Sequence, residues 1–173
     1  MIVLGIDPGY DRCGLAVARR DATGRDEVVW STCVVTDRKE SIYERLCQVC
    51  AVVESALDEH SPTLLALETL FFNKNVSTAI KVAEVRGAIA YQAARRDVAI
   101  IELSPQDVKA AVTGVGNADK SAVARMIPRI VRLPDPSKKR LDDELDAIAV
   151  AVAGLSHARV HHGGLASCSK SAK

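Results

Sequence analysis

Six acidic residues, at three places in this 173-residue chain, could do chemistry together. Asp7 closes the run Ile2-Val-Leu-Gly-Ile-Asp7-Pro8-Gly9, and Glu68 closes Thr63-Leu-Leu-Ala-Leu67-Glu68. Each is a carboxylate at the end of an apolar run that reads as a buried strand. Asp142, Asp143, Glu144 and Asp146 stand together just ahead of a long apolar stretch. An ionised carboxylate at the end of a buried strand is costly unless a cation sits beside it. Carboxylates that converge repel one another and partly protonate. Hard divalent cations with oxygen ligands relieve that repulsion and take phosphate oxygens as further ligands. Two such ions about 3.5–4 Å apart can clamp the attacking and leaving oxygens of a phosphoryl displacement. The plainer readings are that Asp before Pro-Gly forms a turn and that acids at a helix start suit its dipole.

Charge along the chain points the same way. The net charge is only +1, but residues 71–140 hold 13 Lys and Arg against 6 Asp and Glu, while residues 1–70 hold 7 against 12. A basic middle segment suits a polyanion, although solvated helix faces also carry such charges. Lys120 stands at an expected helix start, where the dipole disfavours a cation, which suggests a further task. Acids together with a basic surface suggest a metal-dependent nuclease.

The elements that must position these groups can be read from periodicity. The first strand, Cys13–Ala18 and Val28–Val35 read as an antiparallel meander. Ile42, Leu46, Val49, Val53 and Leu57 recur at helical spacing, giving a helix over about 39–59. A strand over 63–68 follows, then a helix over about 76–96 with Ile80, Val85, Ile89 and Ala93 near one side, then a strand over 98–103. A helix between strands implies parallel crossovers. Ser104-Pro105 starts a short helix ending near Gly114, and Asn117 or Asp119 caps the next, which Pro128 should kink or bound. A last helix over about 141–160, apolar on almost every side, must be deeply packed. The expected fold is α/β: a five-stranded mixed sheet, three antiparallel strands then two parallel, flanked by helices. If the first and fourth strands are neighbours, Asp7 and Glu68 sit side by side. On the last helix Asp143 and Asp146 share a face, as could Asp142 and Asp146, whereas Glu144 is expected to point elsewhere and to be dispensable.

With these motifs in order, the chain resembles the RuvC family of Holliday junction resolvases, whose fold is RNase H-like. The resemblance spans roughly Met1 to Leu155. It rests on Leu4-Gly-Ile-Asp7-Pro-Gly9, on Leu67-Glu68 with Phe71-Phe72 and Asn73-Lys-Asn75, on Lys109 with Gly114-x-Gly116 and Lys120, and on Asp143-x-x-Asp146-Ala-Ile-Ala149. It implies a metal site at Asp7, Glu68, Asp143 and Asp146, filled by two Mg²⁺ per subunit, with Mn²⁺ as a substitute. It implies DNA contacts at Phe71, Phe72, Lys74 and Lys109, and places Lys120 near the scissile phosphate. It further implies symmetric incision of four-way junctions by a homodimer in DNA recombination and repair, alongside RuvA and RuvB. The helix over 76–96 is the expected interface. An alternative is an RNase H-like nuclease that processes ribosomal RNA, of the YqgF type. Another is a junction-binding protein without catalysis.

Length and composition suit one nuclease domain over 1–158, with a flexible Gly-, Ser- and Lys-rich tail over 159–173. No secretory leader or bilayer-length apolar run is evident. Five cysteines without framework spacing suit the reducing cytoplasm. Cys47-x-x-Cys50 has half the spacing of a zinc site, but no second pair exists and it falls in a helical pattern.

Overall fold

A computed structural model of the chain describes residues 1–69 and 76–160, except the side chains of 76, 77, 159 and 160. Phe71, Phe72 and Lys74, and the expected tail beyond Val160, lie outside the described residues. The elements are β1 (Ile2–Asp7), β2 (Arg12–Arg20), β3 (Asp26–Val35), α1 (Ile42–His60), β4 (Leu64–Glu68), α2 (Val76–Ala94), β5 (Ala99–Leu103), α3 (Pro105–Thr113), α4 (Lys120–Ile130) and α5 (Asp142–Val160). The strands form one sheet in the order β3-β2-β1-β4-β5. β1, β2 and β3 pair antiparallel, while β4 and β5 add in parallel. This is the expected mixed sheet, with β1 at its centre. No helix among the described residues is long and apolar enough to cross a membrane.

Side-chain alternation along the strands splits the core in two. Leu4, Ile6, Leu15, Val17, Leu65 and Leu67 face one way and pack with Val49, Val53, Val85 and Ile89 of α1 and α2. Val3, Ala16, Ala18, Leu64 and Ala66 face the other way and pack against α5. α5 is buried on every side from Ala147 to Ala153, because α3 and α4 cover it from outside. Continuing the alternation, Asp7 and Glu68 fall on the α5 side.

Two glycines set how closely α5 lies on the sheet. A Cβ on Gly5 would stand 2.3 Å from the Ala151 nitrogen, and one on Gly14 only 1.8 Å from the Asp143 carbonyl oxygen. Both distances are far inside van der Waals contact, so any side chain there would lift the helix off the strands.

Local signals explain the remaining boundaries. Ser41 and Glu44 form a reciprocal capping box that starts α1, and Ser104 with Asp107 does the same for α3. Asp119, not Asn117, caps α4. Pro128 lies within α4, but the helix ends two residues later, so few bonds are lost. On α2, Val85, Ile89 and Ala93 are buried as expected, whereas Ile80 is 54% exposed. A Cβ on Gly87 would meet nothing within 4 Å, so within one protomer this glycine serves no close contact.

Candidate active site

Register brings the first two acids together. Ile6 pairs with Leu67 across parallel strands, so the next residues, Asp7 and Glu68, end those strands side by side. The first turns of α5 then bring Asp146 over them. Asp7, Glu68, Asp146, Lys109 and Lys120 line one open cleft of about 360 Å³. Asp143 does not line this cleft, but its charge acts on Asp7. Its carboxylate lies 3.5 Å from Arg12, and its carbonyl lies against Gly14. Asp142 is exposed and lines a neighbouring hollow together with Lys120 and Asp146.

The electrostatics record this convergence. Asp7 is pushed up from the usual 3.8 to about 7, first by burial, then by Asp146, Glu68 and Asp143, with Lys120 opposing. Burial and Asp146 also raise Glu68, against Lys109 and Lys120. Asp146 is raised by burial and less strongly held down by its bond to Lys120. The Lys120 ammonium lies 2.7 Å from the Asp146 carboxylate, which raises the lysine in turn. Lys120 reaches the cleft because it is the first residue of α4. Lys109 reaches it from α3, which Gly114 ends in a left-handed conformation (φ 78°) that favours glycine.

Four carboxylates with oxygen-only donors, partly buried and mutually repelling, match the chemistry of hard divalent cations. The side chains do not form a finished cage. Among the described residues no three His, Cys, Asp or Glu groups are arranged to hold an ion. Asp146 and Asp143 are turned instead to Lys120 and Arg12. Cys47 and Cys50 are free thiols, and among the described residues they belong to no group of three or more potential metal ligands.

Four residues that hold the site were not expected from the sequence. Arg86 of α2 donates to the Glu68 carbonyl and pairs with Glu102 at 2.6 Å, fastening the end of β4 to α2 and β5. Arg45 is buried, donates to Thr36, to the Tyr10 carbonyl and to Asp11, and so anchors the turn after Asp7. Its signal was legible: Arg45 falls four residues before Val49 on the apolar stripe of α1. Arg12 is the counter-ion of Asp143. Glu144 does face away from the cleft, but it is 3% exposed rather than free. Its carboxylate accepts from Ser31 and Lys138, partners that the sequence did not reveal.

Comparison with known proteins gives one answer. The family model for Crossover junction endodeoxyribonuclease RuvC matches residues 3–154. The RuvC of Pseudarthrobacter chlorophenolicus is 38% identical over 150 residues, covering 87% of this chain and 77% of that protein. The Thermus thermophilus RuvC structure superposes with a TM-score of 0.82 at 31% identity, covering 92% of this chain and 96% of that one. T. thermophilus RuvC in complex with a Holliday junction substrate gives 0.81 at 29% identity, with the same coverage. The fold, the order of its acidic motifs and these matches agree that the chain belongs to the RuvC family of crossover junction endodeoxyribonucleases.

Proposed function

We propose that this chain resolves Holliday junctions by paired, symmetric incisions of opposed strands, using two Mg²⁺ ions held by Asp7, Glu68, Asp143 and Asp146. The observation that carries the reading is the meeting of Asp7, Glu68 and Asp146 with Lys109 and Lys120 in one cleft. Bound divalent ions would supply a water of lowered pKa and neutralise charge on the leaving oxygen. The protein's own groups do the rest. Asp7, on which all three of the other acids act, would be the central ligand of such ions. Lys120 can exchange its carboxylate partner for a phosphate oxygen and stabilise charge that develops there. Lys109, on the neighbouring wall, holds the adjoining backbone. Phe71 and Phe72 are assigned to stacking on unpaired bases at the crossover, and Lys74 to a phosphate beside them.

Two incisions in one complex need two sites, and a two-fold homodimer supplies them. α2 is assigned to the interface. Its Ile80 and Tyr91 are 54% and 63% exposed, and Gly87 leaves room for a second backbone. RuvA and RuvB are assigned as partners on the family resemblance. The test is a synthetic mobile four-way junction incubated with protein and Mg²⁺, with linear duplex, single strands and RNA as controls. Symmetric nicks bearing 5′-phosphates, confined to the junction, are expected. Equal cutting of RNA or linear duplex refutes the assignment.

A further inference from the structure

Glu144 lies between two of the assigned ligands in sequence and takes no part in the cleft. Two donors from two other segments converge on its Oε1, the Ser31 hydroxyl at 2.7 Å and the Lys138 ammonium at 2.9 Å, and the Arg140 guanidinium stands 3.4 Å away as an ion pair without a hydrogen bond. Arg140 is as buried as Glu144, each side chain being 4% exposed, and it also donates to the carbonyls of Asp135 and Lys138. The stretch before α5 is thus wrapped around a buried guanidinium that points at the first turn of the helix. Ser31 belongs to β3 and pairs with Ala16 of β2, on the side that α5 covers. Leu141, just ahead of α5, has no side-chain oxygen with which to cap it.

We propose that Glu144 is a positioning residue, which fixes the rotation of the first turn of α5 and so sets where the Asp143 and Asp146 carboxylates stand relative to Asp7. The inference rests on the assignment of those acids as ligands. The turn is held at two points: the Asp143 carbonyl lies against Gly14 on β2, and Glu144 is tied to Ser31 on β3. Contact with Gly14 limits how close the turn can come, and the Glu144 clamp limits how it can roll. A carboxylate stands about 5–6 Å from its helix axis, so a roll of about 10° moves it by about 1 Å. Displacements of that size cost up to about 100-fold in rate. Groups that orient metal ligands typically change metal affinity or activity by about 10–100-fold when removed.

The test uses full-length Glu144→Ala and Lys138→Met, with Asp146→Asn as reference. Lys138 is 44% exposed, so its loss spares the core. Four quantities are measured: junction affinity in EDTA, the rise in Tm on adding Mg²⁺, the Mg²⁺ midpoint for cleavage, and the single-turnover rate. Glu144→Ala should raise the Mg²⁺ midpoint by about 10-fold and shrink the Mg²⁺-induced rise in Tm, with EDTA affinity unchanged. Lys138→Met should move the same quantities in the same direction by less. If Tm falls while the Mg²⁺ midpoint and single-turnover rate stay at wild-type values, Glu144 is an ordinary core contact and the inference is overturned. If Glu144→Ala does not fold, Lys138→Met decides by the same outcomes. Cleavage by Asp146→Asn at the wild-type rate instead refutes the ligand assignment itself.

Discussion

Replacing Asp7 by Asn should stabilise the metal-free protein at neutral pH while abolishing cleavage. The sign follows from the proton. Asp7 ionises near 3.8 in the unfolded chain and near 7 in the folded one. Between those values the native state holds a proton that the unfolded state has lost, so stability is highest at low pH and falls as pH rises through about 7. About 3 pH units at 1.36 kcal/mol each set a ceiling of roughly 4 kcal/mol. Readjustment of Asp146 and Lys120 lowers the figure to on the order of 2–4 kcal/mol. Asn mimics the protonated acid and removes that cost. In a chain of this size the gain corresponds to roughly 5–15 °C in Tm. Thermal unfolding in EDTA, from pH 4 to 8, should show the two proteins close together at pH 4 and the variant ahead above pH 7. Mg²⁺ should then stabilise the wild type, because it binds the folded state, and stabilise the variant far less. Equal melting curves at pH 8 in EDTA would refute the claim that burial and the neighbouring acids disfavour an ionised Asp7, and a pH-independent gap would refute Asp7 as the titrating group.

The same reasoning extends to neighbouring residues. Asp143→Asn and Asp146→Asn should each abolish cleavage yet leave junction affinity in EDTA within about twofold, because phosphate charges rather than acids govern binding; Asp142→Asn, at an exposed position in the neighbouring hollow, should retain most activity. Gly14→Ala should cost about 2 kcal/mol or more in denaturant unfolding and most of the cleavage activity, since its Cβ would lie 1.8 Å from the Asp143 carbonyl oxygen; wild-type cleavage would show that α5 can move without harm. Mixed dimers of wild-type and Asp7→Asn subunits should nick one strand of a junction without resolving it, and resolution by those mixed dimers would argue against one site per strand.

Much of this was legible because two periodicities carry it. The alternation in β1 and β4 puts Asp7 and Glu68 on one side, and the unbroken apolar run after Asp146 marks α5 as a helix covered all round. What stayed hidden was the set of contacts between distant segments. Nothing near Glu144 in sequence says that Ser31, more than a hundred residues earlier, is its partner. Gly14 reads as an ordinary strand glycine until the Asp143 carbonyl is seen against it. Arg86 sits in an amphipathic helix where an arginine looks solvated, and only the fold brings it under Glu68. Ile80 has the spacing of a core residue, but α2 turns it outward. Tertiary contacts override helical spacing at such positions because the spacing fixes a face without fixing what lies opposite.

The placement of α5 also bears on the order in which the protein is made. Synthesis delivers β1 and β2 well before α5, and until α5 is made their small, flat face of Gly5, Gly14, Ala16 and Ala18 lacks the helix that covers it. The helix that fits there follows all five strands in the chain, and it brings Asp143 and Asp146 with it. Closing the core and completing the acidic set are therefore one event. A chain in which α5 has not yet docked holds only Asp7 and Glu68 of the four proposed ligands, so the proposed metal site forms only as the core closes.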